Sequence, residues 1–95
     1  GFIRKNSDWI ARYGGEEFLI VLDNANEKIA FRVAENVRQA IEKATFQYNR
    51  ENIRITASFG TYTLNYEKMT CDRLIDLADK NLYQAKNCGR NRTVN

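Results

Sequence analysis

Five consecutive apolar residues, Phe18 to Leu22, run without polar interruption, the pattern of a strand covered on both faces and therefore central in its sheet. A shorter apolar-rich stretch, Asp8 to Arg12, precedes them across Tyr13-Gly14-Gly15-Glu16. A Gly-Gly pair between two such stretches supplies the positive φ angles of a tight turn, which predicts a β-hairpin with Gly14 and Gly15 at its tip. After the turn and cap residues Asp23-Asn24-Ala25-Asn26, apolar positions Ile29, Ala30, Val33, Ala34, Val37, Ile41 and Ala44 recur at spacings of three and four, which predicts an amphipathic helix. From Ile53 to Thr63, Ile53, Ile55, Ala57, Phe59 and Thr61 alternate with Arg54, Thr56, Ser58, Gly60 and Tyr62, the period-two pattern of a strand with one face on the core. Thr70 is placed to cap a second helix carrying Leu74, Ile75, Ala78, Leu82 and Ala85 on one stripe, and Gly89 sits where a left-handed cap would end it. Asn91 to Val94 would add a short final strand. The order β-β-α-β-α-β describes an α+β sheet layered with helices on one face.

Composition narrows the chemistry more than the fold. A chain of 95 residues, 43% apolar and 28% charged, builds at most one ordinary globular core. No apolar run approaches the roughly 20 residues needed to cross a bilayer, and the N-terminus lacks the order of a signal peptide, so a cytoplasmic location is expected, with no direct membrane contact by this segment and room for a membrane tether through upstream parts of the parent. Fifteen Lys and Arg against 12 Asp and Glu give a net charge of +3, compatible with a phosphate-bearing ligand without demanding one. The chain contains no His, which excludes a Ser-His-Asp triad and any His general base and leaves carboxylates, Lys, Arg or a hard metal ion. Cys71 and Cys88 belong to no CxxC pair and are read as reduced structural thiols rather than as a zinc site or disulfide.

Two clusters could carry chemistry. In Arg12-Tyr13-Gly14-Gly15-Glu16-Glu17-Phe18, two residues without side chains precede two adjacent carboxylates. The glycines would let a phosphorylated ligand approach the backbone, and Glu16 offers oxygen ligands to Mg²⁺; turn chemistry with two solvated glutamates would produce the same residues. In Ala85-Lys86-Asn87-Cys88-Gly89-Arg90-Asn91, Lys86 falls in the last turn of the second helix and Arg90 just past its glycine. Cations there favour the helix dipole on their own account, and as a pair they can also clamp a triphosphate, Lys as a point charge and Arg as a planar fork.

Taken in order, Arg12 to Phe18, the strand Ile55-Thr-Ala-Ser-Phe-Gly60, the helix Ala78-Asp79-Lys-Asn-Leu82-Tyr83-Gln-Ala85-Lys86 and the following Gly89-Arg90-Asn91 resemble the signatures of the GGDEF family, the diguanylate cyclases of bacterial signalling. The resemblance spans nearly the whole chain and implies that residues 1–95 are the C-terminal portion of a single GGDEF domain. It implies a partial nucleotidyl-cyclase-like palm that lacks the first central strand of the family fold. The parent would condense two GTP into cyclic di-GMP and pyrophosphate with Mg²⁺ or Mn²⁺, as a homodimer in which each domain presents one GTP, below an upstream sensory or receiver domain.

By that resemblance Glu16 is the metal ligand, Glu16 and Glu17 are catalytic, and Gly14, Gly15, Lys86 and Arg90 bind substrate. The missing half carries another metal ligand and the guanine-recognising residues, so the isolated chain is expected to be inactive. Its strand edges at Phe18 to Leu22 and Ile53 to Thr63 would then pair with a second copy. The family's inhibitory Arg-x-x-Asp is present only in altered form, with Asp8 preceded by Lys5 at the Arg position and Arg4 displaced by one. Lys lacks the bidentate fork, so a weakened site is expected, to which Arg32 and Arg38 could contribute. Two other functions suit the composition: a GGDEF module that binds GTP or cyclic di-GMP without turnover, and a basic nucleic-acid binder. Against the second, the sheet offers too few exposed aromatics, Phe59 and Tyr62 being mixed in facing, so no nucleic acid polymer is expected as partner.

Overall fold

A computed structural model of the chain describes residues 8–14, 17–64 and 68–95. Gly15, Glu16, Lys5 and Arg4, all singled out above, lie outside the described residues. The elements follow the order β1 (Trp9–Gly14), β2 (Glu17–Val21), α1 (Glu27–Lys43), β3 (Phe46–Tyr48), β4 (Glu51–Ile53), β5 (Phe59–Gly60), α2 (Cys71–Asn87) and β6 (Thr93–Val94).

Both helices begin where their capping residues stand. The Asn26 carboxamide oxygen accepts a hydrogen bond from the Ile29 amide at 2.9 Å, and the Thr70 hydroxyl accepts one from the Arg73 amide at 3.2 Å, each satisfying an N–H that a helix leaves open. Glu27 and Asp72 lie in the first turns and Lys43 and Lys86 in the last, charges that complement the helix dipole at both ends. Helix α2 closes in a Schellman arrangement: Gly89 follows the cap residue Cys88 with φ +117°, and the Arg90 amide donates back to the Ala85 carbonyl at 2.9 Å. An added Cβ at Gly89 would fall 2.7 Å from the Arg92 guanidinium. Gly89→Ala is therefore expected to lower stability by about 1 kcal/mol through the left-handed backbone, measured as a shift of the urea midpoint.

Strands β1 and β2 form the antiparallel hairpin, in register from Trp9 opposite Val21 to Gly14 opposite Glu17, with an irregularity between Arg12 and Gly14. The extra residue there is Tyr13, a β-bulge. Gly14 is thus the last residue of β1 and not a tip residue; it pairs with Glu17, and its φ is not positive.

Three further expectations are corrected. Strand β2 is not central: among the described residues it bonds to β1 alone. Phe18 of β2 remains 63% exposed and Ile10 of β1 56%, so the apolar character of the hairpin exceeds what the described residues cover. The segment from Ile53 to Thr63 is not one strand. Its start belongs to a separate hairpin in which β4 pairs with β3, and only Phe59–Gly60 continue as a strand, parallel to Thr93–Val94. Ile55, placed by alternation on a core face, is 49% exposed. The β3–β4 hairpin itself turns on Asn49 and Arg50, both left-handed at φ 51° and 67°, the geometry of a type I′ turn.

The best-packed region lies where β5 meets α2. Ala85 of α2 is completely buried, a small residue that lets backbones come close; Ala34, nearly buried, lies on α1. Gly60 shows how close: a Cβ there would overlap the Ala78 carbonyl and the Leu82 amide and stand 2.7 Å from the Leu82 Cα. The Asn81 side chain fastens the same junction by donating to the Thr61 carbonyl at 2.6 Å. No large side chain among the described residues is fully buried. No described helix is long and apolar enough to cross a membrane.

Candidate functional site

Folding brings the two sequence clusters together. The Lys86 ammonium nitrogen, in the last turn of α2, stands 3.8 Å from a carboxylate oxygen of Glu17 at the start of β2. Both side chains are about two-fifths exposed, so the pair is weak, worth no more than about 1 kcal/mol before screening by salt. A multiply charged phosphate could displace Glu17 from Lys86 at little cost. Arg90 follows two residues past the cap, exposed and left-handed at φ 60°. Two cations thus gather at the C-terminal end of α2, where the helix dipole alone would repel an anion. Beside Gly14, at the end of β1, a Cβ would meet nothing within 4 Å.

Asp8 is buried within the fold. It is 8% exposed, and its carboxylate accepts a hydrogen bond from the Asp23 amide at 2.9 Å, holding the residue before β1 to the turn after β2. Arg32 is exposed on α1. Arg38 is engaged elsewhere: its guanidinium forks onto Glu35 at 2.6 and 3.1 Å and donates to the Asn91 side-chain oxygen at 2.9 Å.

Those contacts belong to a polar network that the sequence patterns do not disclose. The Asn91 side-chain nitrogen donates to Glu42, its backbone amide donates to the Ser58 hydroxyl at 3.0 Å, and the Thr93 hydroxyl donates to Glu35 at 2.8 Å. Only the Glu35–Arg38 pair is visible in sequence, as opposite charges three apart on a helix. The Arg38 hydrogen bond, assisted by that from Thr93 and by the Arg38 charge, holds the Glu35 carboxyl below its ordinary pKa against the opposing effect of burial. A carboxylate lowered on folding stabilises the native state above its unfolded pKa, and that contribution disappears as the pH falls through the folded value. The melting-temperature gap between wild type and Glu35→Gln is therefore expected to be widest near neutrality and to shrink below about pH 4. A gap that is constant from neutral to acid pH would contradict the ionic role.

A groove of about 490 Å³ lined by Thr61, Tyr62, Lys80, Asn81 and Gln84 contains none of Glu17, Lys86 and Arg90. The described residues include no group of three His, Cys, Asp or Glu placed to hold a metal ion. The donor chemistry of adjacent carboxylates in the hairpin sequence fits a hard divalent cation, and it supplies part of such an ion's shell at most.

A two-helix α+β unit with a glycine–glutamate hairpin set against a Lys/Arg helix end has the form of part of a nucleotidyl-cyclase palm. The family model for the diguanylate cyclase GGDEF domain matches residues 2–92, and the chain belongs to this family. It is 39% identical over 90 residues to diguanylate cyclase A of Treponema denticola, covering 95% of this chain and 24% of that protein. Its fold superposes on the diguanylate cyclase SiaD of Pseudomonas aeruginosa, crystallised with its activator SiaC, with a TM-score of 0.84 at 33% identity, over 98% of this chain and 35% of that one. The GGDEF domain of DgcB from Caulobacter crescentus, crystallised in complex with c-di-GMP, matches with a TM-score of 0.84 at 26% identity, over 95% of this chain and 54% of that one. The chain thus spans about a quarter of its curated relative and between a third and just over half of the solved chains.

Proposed function

We propose that the protein containing this chain is a diguanylate cyclase that joins two GTP molecules into cyclic di-GMP with release of pyrophosphate, and that this chain provides the C-terminal portion of its GGDEF domain. The observation that carries the reading is the approach of Lys86 to Glu17 at 3.8 Å, which supports a site shared by the helix end and the carboxylate hairpin. In this reading Lys86 and Arg90 bind the triphosphate. Gly14 and Gly15 admit the nucleotide against the hairpin backbone, and Glu16 and Glu17 supply its negative charge. Mg²⁺ or Mn²⁺ held in part by Glu16 would, when bound, acidify the attacking 3′-hydroxyl and neutralise phosphate oxygens. The residues of this chain orient the phosphates and hold the leaving group's charge through Lys86 and Arg90. Because the product joins two nucleotides, two domains must face each other, so the active form is a homodimer. An upstream sensory or receiver domain would control that meeting. The protein would act in the cytoplasm, where GTP is supplied.

Lys86→Ala and Arg90→Ala in the full-length protein are each expected to weaken GTP use by about 1.5 to 3 kcal/mol, the range for a hydrogen bond to a charged group. The preference for GTP over ATP should survive, since neither residue reads the base. Steady-state kinetics with both nucleotides test this; a changed GTP to ATP ratio with GTP affinity intact would contradict the assignment.

A further inference from the structure

The contacts around Asn91 exceed what closing a helix requires. The Schellman closure of α2 is already complete with Gly89 and the Arg90 amide, yet the chain continues left-handed through Arg90 at φ 60° and Asn91 at φ 47°. Asn tolerates that region; Arg does not favour it, and successive non-glycine residues persist there only when their surroundings fix them. The surroundings here come from two separate parts of the fold. Arg38 and Glu42 on α1 hold the two ends of the Asn91 carboxamide, Ser58 ahead of β5 takes its backbone amide, and Glu35 completes the ring by fixing Arg38.

We infer that Asn91 is a positioning residue: anchored by Arg38, Glu42 and Ser58, it fixes the backbone of Arg90 and so the point from which the Arg90 guanidinium reaches the phosphates of a nucleotide. The inference rests on the phosphate-binding reading of Arg90. The Arg90 backbone is also held by its own amide's bond to the Ala85 carbonyl at 2.9 Å and by the Arg92 side chain, which donates to the Arg90 carbonyl at 3.1 Å; without the Asn91 anchor the residue that follows is freed, and Arg90 samples a wider range of directions. A flexible cation binds more weakly than a preorganised one because ordering it must be repaid on binding. Lys86, inside the helix, has no such need. Asn91, Ser58, Glu35, Arg38 and Glu42 thereby acquire a role in substrate affinity without touching substrate.

The test is a double-mutant cycle in the full-length protein, read as KM for GTP and kcat. Asn91→Gly keeps the left-handed backbone accessible while removing the carboxamide anchor. It is expected to raise KM roughly fivefold, the scale of one or two lost hydrogen bonds, with kcat changed less than about twofold. In an Arg90→Ala background the same substitution should leave KM unchanged, because the residue it positions is gone. A second route does not depend on the glycine variant folding. Asn91→Asp sets a carboxylate against Glu42 and should raise KM, and adding Glu42→Gln restores a donor and should return KM toward wild type. An equal rise from Asn91→Gly in both backgrounds, or no rescue by Glu42→Gln, would overturn the inference. So would an unchanged KM for Asn91→Gly beside a raised KM for Arg90→Ala. If Arg90→Ala itself leaves KM unaltered, the phosphate reading of Arg90 falls and the inference falls with it.

Discussion

Replacing Glu16 by Gln in the full-length protein is expected to lower the rate of cyclic di-GMP synthesis by on the order of a hundredfold or more, the loss typical of removing one preorganised charge-stabilising group from an active site. The amide conserves the size of the side chain and the composition of the turn, so the fold should be kept. Only the negative charge at the hairpin's end is lost, and a hard cation requires it. The neighbouring Glu17 is a poor substitute, because it starts β2 and lies beside Lys86 at 3.8 Å. Product formation by the purified variant at saturating GTP, alongside its melting temperature, measures both halves of the expectation. Wild-type turnover with Mg²⁺ present would show that Glu16 is not a metal ligand.

The second large effect is structural. Gly60→Ala is expected to destabilise the domain by about 3 kcal/mol, the upper end for overpacking, because the new methyl group meets backbone rather than a movable side chain. Its nearest neighbours would be the Ala78 carbonyl and the Leu82 amide and Cα, all inside α2 and all tied into the helix ladder. Relief would need β5 to withdraw from α2, breaking the Asn81 bond to Thr61 and exposing Ala85, which is completely buried. Urea unfolding of the domain reports the change; an unaltered midpoint would mean that β5 and α2 are not in the close contact described.

The parts legible from sequence are those governed by local rules. Both helices follow from apolar spacing and from caps at Asn26 and Thr70 that bond within three residues, and Gly89 marks its own left-handed position. The strands were less legible because alternation states which side chains share a face and says nothing of which strand lies alongside. The stretch from Ile53 to Thr63 alternates throughout, yet its two ends pair with different partners, Phe46–Tyr48 and Thr93–Val94. The hairpin of Phe46 to Ile53 carries little sequence signal because its turn uses Asn49-Arg50 rather than a glycine pair, and Arg50 gives no local hint of a positive φ.

The candidate site divides in the same way. Gly14, Glu17, Lys86 and Arg90 could be selected because their residue types suit phosphate and metal chemistry and because the surrounding motifs resemble one family. The approach of Glu17 to Lys86 could not be derived from spacing. Asn91 was hidden for a different reason. It looks like an ordinary residue after a helix cap, and its partners Ser58, Glu42 and Arg38 lie 33, 49 and 53 positions away in the chain, beyond the reach of any local pattern. Arg38 shows the converse error of assigning a surface role by residue type, since its fork is occupied by Glu35 and Asn91.

The most direct measurement incubates the purified full-length protein with GTP and Mg²⁺ and separates the products by chromatography. The account predicts cyclic di-GMP and pyrophosphate, two pyrophosphates for each cyclic dinucleotide, with a rate that rises faster than linearly with protein concentration where the dimer is dissociated. GTP recovered unchanged from a folded protein that binds it, or hydrolysed to GDP without cyclic di-GMP, would contradict the account.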